Sequence, residues 1–150
     1  MVIDFQNMEE KPVEGFKGGV GITNLKKFEN ELGKIILGRL EPGASIGLHT
    51  HETNSEAIYI VSGTADFIYD PEAGGTADSA SSPNCDQSRS CASGDQNLPS
   101  ASDDQKQACA KISETVSAGG CHYCPKGHTH SMINNSEEDI IFFAVIPEQA

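Results

Sequence analysis

No apolar run in this chain approaches the ~18 residues that a membrane-spanning helix needs. The first residues, Met1 to Phe5, show no basic head followed by an apolar core, so no secretory signal is read there. These two absences set the expectation of a water-soluble, cytoplasmic protein without a membrane partner. Basic residues are also scarce. Ten Lys and Arg stand against 22 Asp and Glu, for a formal charge of -12 and a pI near 4.6. Such a surface repels phosphate backbones and anionic headgroups, which argues against nucleic acid as a partner. Five cysteines are too few for a disulfide scaffold, and their odd number leaves at least one unpaired.

Large apolar side chains are missing from a long internal stretch. Residues 71–110 open with Pro71-Glu72-Ala73-Gly74-Gly75 and continue in Ser, Ala, Asp, Gln and Asn, with Leu98 as the exception. A segment of that composition cannot bury enough surface to offset its own ordering entropy. It reads as an inserted loop over about 71–111, carrying Cys85, Cys91 and Cys109. The 150 residues fit a single domain, with a core over 34–70 and 112–147 interrupted by that insert.

What is present reads as all-β. Lys34 to Leu40 is a β-rich run ended by Glu41-Pro42-Gly43, and Ser45 to His51 is a second. Glu56 to Val61 and Thr64 to Tyr69 flank Ser62-Gly63, which reads as a tight hairpin. Further runs are Ile112 to Val116, Cys121 to Cys124, His130 to Ile133 and Asp139 to Ile146, the last two joined by Asn134-Asn135-Ser136. Leu25, Phe28 and Leu32 have helical spacing, so Asn24–Leu32 is read as a short helix or a loop. Many short strands with turns between them point to a sandwich or barrel.

His49 and His51 alternate within a strand-like run, so both imidazoles face one side. Glu56 follows at the start of the next run, and His130 lies beyond Pro125-Lys126-Gly127. Three imidazoles and a carboxylate suit a divalent transition metal with positions left open for substrate. His128 alternates with His130 and stands as a rival ligand or a proton carrier. His122 is read as a structural or surface histidine, with a catalytic role as the alternative. Tyr59, Phe67, Tyr69 and Tyr123 are assigned to core or pocket wall, and Arg39 to a surface ion pair. Cys121 and Cys124 form Cys-x-x-Cys, but residues three apart in a strand face opposite sides, so free thiols are expected.

The spacings around these residues resemble the two motifs of the cupin superfamily. The first is Gly, five residues, His-x-His, four residues, Glu, six residues, Gly, met here by Gly43, His49, His51, Glu56 and Gly63. The second is Gly, five residues, Pro-x-Gly, two residues, His, three residues, Asn, met by Gly119, Pro125, Gly127, His130 and Asn134. The resemblance implies a jelly-roll barrel of two packed sheets, a double-stranded β-helix, with the insert between the motifs. It implies one metal at His49, His51, Glu56 and His130, with iron or manganese favoured over nickel, cobalt or zinc. The implied activity is metal-dependent chemistry on a small molecule, of dioxygenase, isomerase or lyase type, in a homodimer; the base is read as a metal-bound hydroxide, or as His128 or His122 if either reaches the pocket. The other readings are a non-catalytic small-molecule or metal-sensing module, and a scaffold that binds a partner through the insert.

Overall fold

The computed structural model describes residues 1–70 and 111–148. Strands β1 (Lys11–Glu14), β2 (Ile22–Asn30), β3 (Gly33–Leu40), β4 (Ser45–Thr50) and β5 (Glu56–Ser62) come first, with a 3-10 turn at Phe16–Gly18 between β1 and β2. β6 (Thr64–Asp70), β7 (Ile112–Ser117), β8 (Cys121–Cys124), β9 (Thr129–Ile133) and β10 (Ile140–Pro147) follow. Two antiparallel sheets result. One has the order β1-β2-β3-β10-β5-β8 and the other β4-β9-β6-β7. The all-β expectation and the two-sheet architecture both hold.

Alternation along the strands makes the core. Ile36, Leu40, Ile58, Ile60, Ile140 and Phe142 point inward from the larger sheet and meet Ile46, Phe67 and Met132 from the smaller. Phe142 faces Gly38 in register, and a β-carbon at position 38 would overlap the Phe142 ring. Glycine there leaves the hole that the aromatic ring fills. The motif glycines Gly43, Gly63, Gly119 and Gly127 all have positive φ, as expected of turns.

Two local expectations are corrected. Ser62-Gly63 does not close a hairpin, because Ser62 pairs with Ile141 of β10 whereas Thr64 pairs with Ser117 of β7. The chain turns a corner there and changes sheet. The link through Asn134-Asn135-Ser136 joins β9 and β10 as expected and likewise changes sheet. A turn sequence reports that the chain bends and carries no information on which sheet each arm joins. Second, Asn24–Leu32 is neither helix nor loop. Most of it lies in β2, paired residue for residue with β3 from Thr23↔Leu40 to Asn30↔Gly33. That ladder overrides a helical spacing resting on three side chains. The sheet also extends toward the N terminus beyond the expected core, through β1 and β2.

The insert, with Cys85, Cys91 and Cys109, lies outside the described residues apart from Lys111. Its ends are well placed: β6 and β7 pair directly, with Tyr69 opposite Ile112. The expected strand over Cys121 to Cys124 is present. Its alternating burial exposes Cys121 and buries Cys124, and both thiols are free. Burial pushes the Cys124 thiol up to about 12, which keeps it protonated and unreactive.

Candidate metal centre

Two long-range ladders assemble the site. In the β4–β9 pair His49 stands opposite His130, next to an irregularity between Ile46 and His49. Glu56 enters from the first position of β5 in the other sheet. The loop between is tied to the second motif at His51, whose N–H donates to His128 O while its carbonyl accepts from Gly127 N–H. The Pro125 to His128 turn thus braces His51 as well as aiming His130.

Short distances follow. Nε2 of His51 lies 3.1 Å from Glu56 Oε2 and 3.0 Å from His130 Nε2. His130 Nε2 lies 3.0 Å from the same Glu56 oxygen. The His49 ring is 5.0 Å from that of His51 and 4.8 Å from that of His130. Ligand atoms of all four residues fall within 4.8 Å of one another.

The outer ring nitrogens fix how two imidazoles present themselves. His49 Nδ1 is 2.8 Å from Gly47 O and His51 Nδ1 is 2.8 Å from Asn54 Oδ1. Both acceptors require N–H at Nδ1, so in the neutral form of each ring the Nε2 lone pair faces inward, and His51 donates from Nε2 to Glu56 only when it is protonated. His130 Nδ1 is buried with no partner among the described residues. Burial pushes His49 down to about 4, so it is neutral at physiological pH. Burial also works against charge on Glu56, but hydrogen bonds from His130 and His51 outweigh it and hold the carboxyl at about 2. For His51, burial is outweighed by the hydrogen bonds to Glu56 and Asn54, and its pKa is raised.

A divalent metal fits this donor set. Two imidazole nitrogens 3.0 Å apart need a proton or a cation between them. Ligand atoms at right angles around an ion with bonds of about 2.1 Å sit about 3.0 Å apart. The spacings among His51, Glu56 and His130 match one triangular face of such a shell. Imidazole and carboxylate together suit first-row transition ions.

Beside the ligands lies a cavity of about 280 Å³, whose wall includes His49, His51, Glu56, His130, Ile46 and Phe142. The profile of the Cupin family matches residues 10–150. The chain belongs to the cupin family. No protein of curated function matches this cupin by sequence. A predicted oxalate decarboxylase from Thermotoga maritima shares its fold at TM-score 0.66 and 19% identity, covering 99% of each chain. A variant of the Bacillus subtilis oxalate decarboxylase gives TM-score 0.59 and 19% identity over 97% of this cupin and 29% of that chain. The cupin domain of Schizosaccharomyces pombe Cnp3 gives 0.55 and 10%, over 85% of this chain and 61% of that one. No helix among the described residues of this cupin is long and apolar enough to cross a membrane.

The structure brings together His49, His51, Glu56 and His130 and leaves the other two candidates outside the cavity wall. His128 Nδ1 is 2.8 Å from the Tyr69 hydroxyl. His122 is buried, stacked between Phe67 at 4.1 Å and His130 at 5.3 Å, with Nδ1 3.4 Å from Glu114. Its place is behind the His130 ring. Tyr59 and Tyr123 are exposed, correcting their assignment to core or wall, whereas Phe67 is fully buried. Arg39 pairs with Glu10, Glu41 and Asp139, as its surface reading expected. Sequence reasoning missed Asn54, three residues after His51, whose oxygen sets the His51 tautomer.

Proposed function

We propose that this cupin holds iron or manganese at His49, His51, Glu56 and His130 and is a metal-dependent enzyme on a small molecule, of dioxygenase, isomerase or lyase type. The observation that carries this reading is the cavity. An open space of about 280 Å³ reaches all four ligands, where a purely structural metal site would be sealed. The bound ion would supply Lewis-acid polarisation of a chelating substrate oxygen. The protein's part is positional. Gly47 O and Asn54 aim two imidazoles, and His122 backs the third. Ile36, Ile46, Ile58 and Phe142 line the space with apolar surface that excludes water. No proton transfer is assigned to His128 or His122, since neither reaches the wall.

Decarboxylation, the activity named for two structural neighbours, falls within the lyase class and supports that part of the reading. The homodimer stays in the proposal and is tested by sedimentation of the purified chain. The test of the site is elemental analysis of untagged protein beside His49→Ala and His130→Ala. About one equivalent of iron or manganese, lost in both variants, is expected. Absence of metal after reconstitution with each ion removes the proposal.

A further inference from the structure

A second, larger cavity of about 680 Å³ opens next to the first, and the two share Phe16, Lys17, Leu25, Lys34, Ile36 and Ile146 as wall. The shared residues set the second space beside the one that the four metal-site residues line. The charge of this second space is opposite to that of the chain. In a protein of net charge -12 with ten basic residues, Lys11, Lys17, Lys27 and Lys34 line the outer space against one carboxylate, Glu9. Glu52 and Glu56 are the acids of the inner wall.

These lysines are not equivalent. Lys27 and Lys34 are both engaged by Glu29, at 2.7 and 3.3 Å. Lys17 makes no ion pair among the described residues, and it lines both cavities. Lys17 is also the one described non-glycine residue with positive φ, at 56°. A side chain in that left-handed conformation is strained and is kept where the surroundings impose it. They do so here. Gly19 and Gly47 let the Phe16–Gly18 turn press backbone to backbone against β4, and a β-carbon at 47 would overlap Lys17 O.

We infer that Lys17 is the anion-recognising group of this site, and that the substrate is a small dicarboxylate with one end at the metal ligands and its free carboxylate at Lys17. The inference rests on the metal reading of the cavity above. An ammonium with no ion pair among the described residues, on a turn braced against the strand that carries His49, puts positive charge in the wall that the two spaces share. The apolar wall between, with Phe16, Leu25 and Ile36, suits the methylene part of such an acid.

The test has two steps, so that the two readings fail separately. Metal content is measured first, and protein that takes up no metal ends both. Manganese-loaded protein is then titrated calorimetrically with succinate and glutarate. Expected is saturable binding that weakens about fivefold in Lys17→Gln. It stays within about twofold in Lys17→Arg and in Lys111→Gln, a charge change that lines neither cavity. Added salt should weaken binding more in the natural protein than in Lys17→Gln. Lys17→Gly, which relaxes the left-handed residue, is expected to lose the same affinity while its thermal midpoint holds or rises. Any one of three results overturns the inference with the metal reading intact. These are no binding of either acid, equal binding in Lys17→Gln, and a fall in thermal midpoint in Lys17→Gly that accounts for the lost binding. Inorganic phosphate bound as tightly and with the same dependence on Lys17 overturns the dicarboxylate assignment.

Discussion

The two ends of the β4–β9 ladder hold buried polar side chains in opposite conditions. At one end Asn134 is fully buried and every polar atom has a partner. Its Nδ2 donates to Leu40 O and Glu138 O, and its Oδ1 accepts from the Ser136 N–H and hydroxyl. Its backbone bonds to Ala44 and Gly43. At the other end the ring nitrogens of His49, His51 and His130 and the Glu56 carboxylate face one another, and His130 Nδ1 has no partner among the described residues. Both ends come from motif residues of similar spacing. A polar network completed by the chain itself is architecture, and one left incomplete calls for something from outside the chain.

Metal affinity is where the difference should be largest. Glu56→Ala is expected to abolish stoichiometric metal, and Asn54→Ala, which frees the His51 tautomer, to lower affinity about 10- to 100-fold in competition with a chelator. At the completed end Asn134→Ala should cost about 2 kcal/mol in urea unfolding, because it removes the buried donor to Leu40 O and loosens the Ser136–Glu138 turn. The folded fraction should still bind metal. A loss of metal without a loss of stability in Asn134→Ala would erase the distinction between the two ends.

Acid should separate the ends again, now in the metal-free chain. His49 has its folded pKa lowered to about 4. Its contribution is therefore full above its ordinary pKa near 6.5 and is lost as pH falls from there toward 4. Glu56, held at about 2, adds a further loss between about 4.5 and 2. His51 works the other way. Its raised pKa gives stability that is complete below about 6.5 and lost as pH rises through its folded value. Metal-free protein should therefore be most stable near pH 6.5, read from thermal midpoints across pH. Asn134→Ala should keep that profile at lower stability, and His49→Ala should flatten the limb between 6.5 and 4.

The smallest effect belongs to the insert. Since Tyr69 and Ile112 are already paired, replacing residues 71–110 by a short turn should keep the fold. The shorter loop stabilises it by at most about 2 kcal/mol of closure entropy. Metal content should not change.

The grouping of His49, His51, Glu56 and His130 was legible because each motif packs its residues into a short stretch, where strand alternation alone sets the facing of His49 and His51. Asn134 was legible as a turn closer for the same reason. The sheet changes at Gly63 and after Asn134 were not, since strand partners are chosen by long-range packing. The helical reading of Leu25, Phe28 and Leu32 failed because three side chains weigh less than an eight-pair ladder. Lys17 could not be found from the sequence. Nothing in Phe16-Lys17-Gly18 announces a left-handed lysine, and the cavity it borders is formed by strands distant in the chain.

The close packing of the Phe16–Gly18 turn on β4 has an evolutionary consequence. Position 17 can change its charge, since its side chain lines the two cavities and is no part of the hydrophobic core. Gly19 and Gly47 are not free, because any larger residue at either would push the turn and the His49 strand apart together. A lineage built on this barrel can therefore change the charge it selects by single substitutions at one surface position, while the pair of glycines beneath it stays frozen.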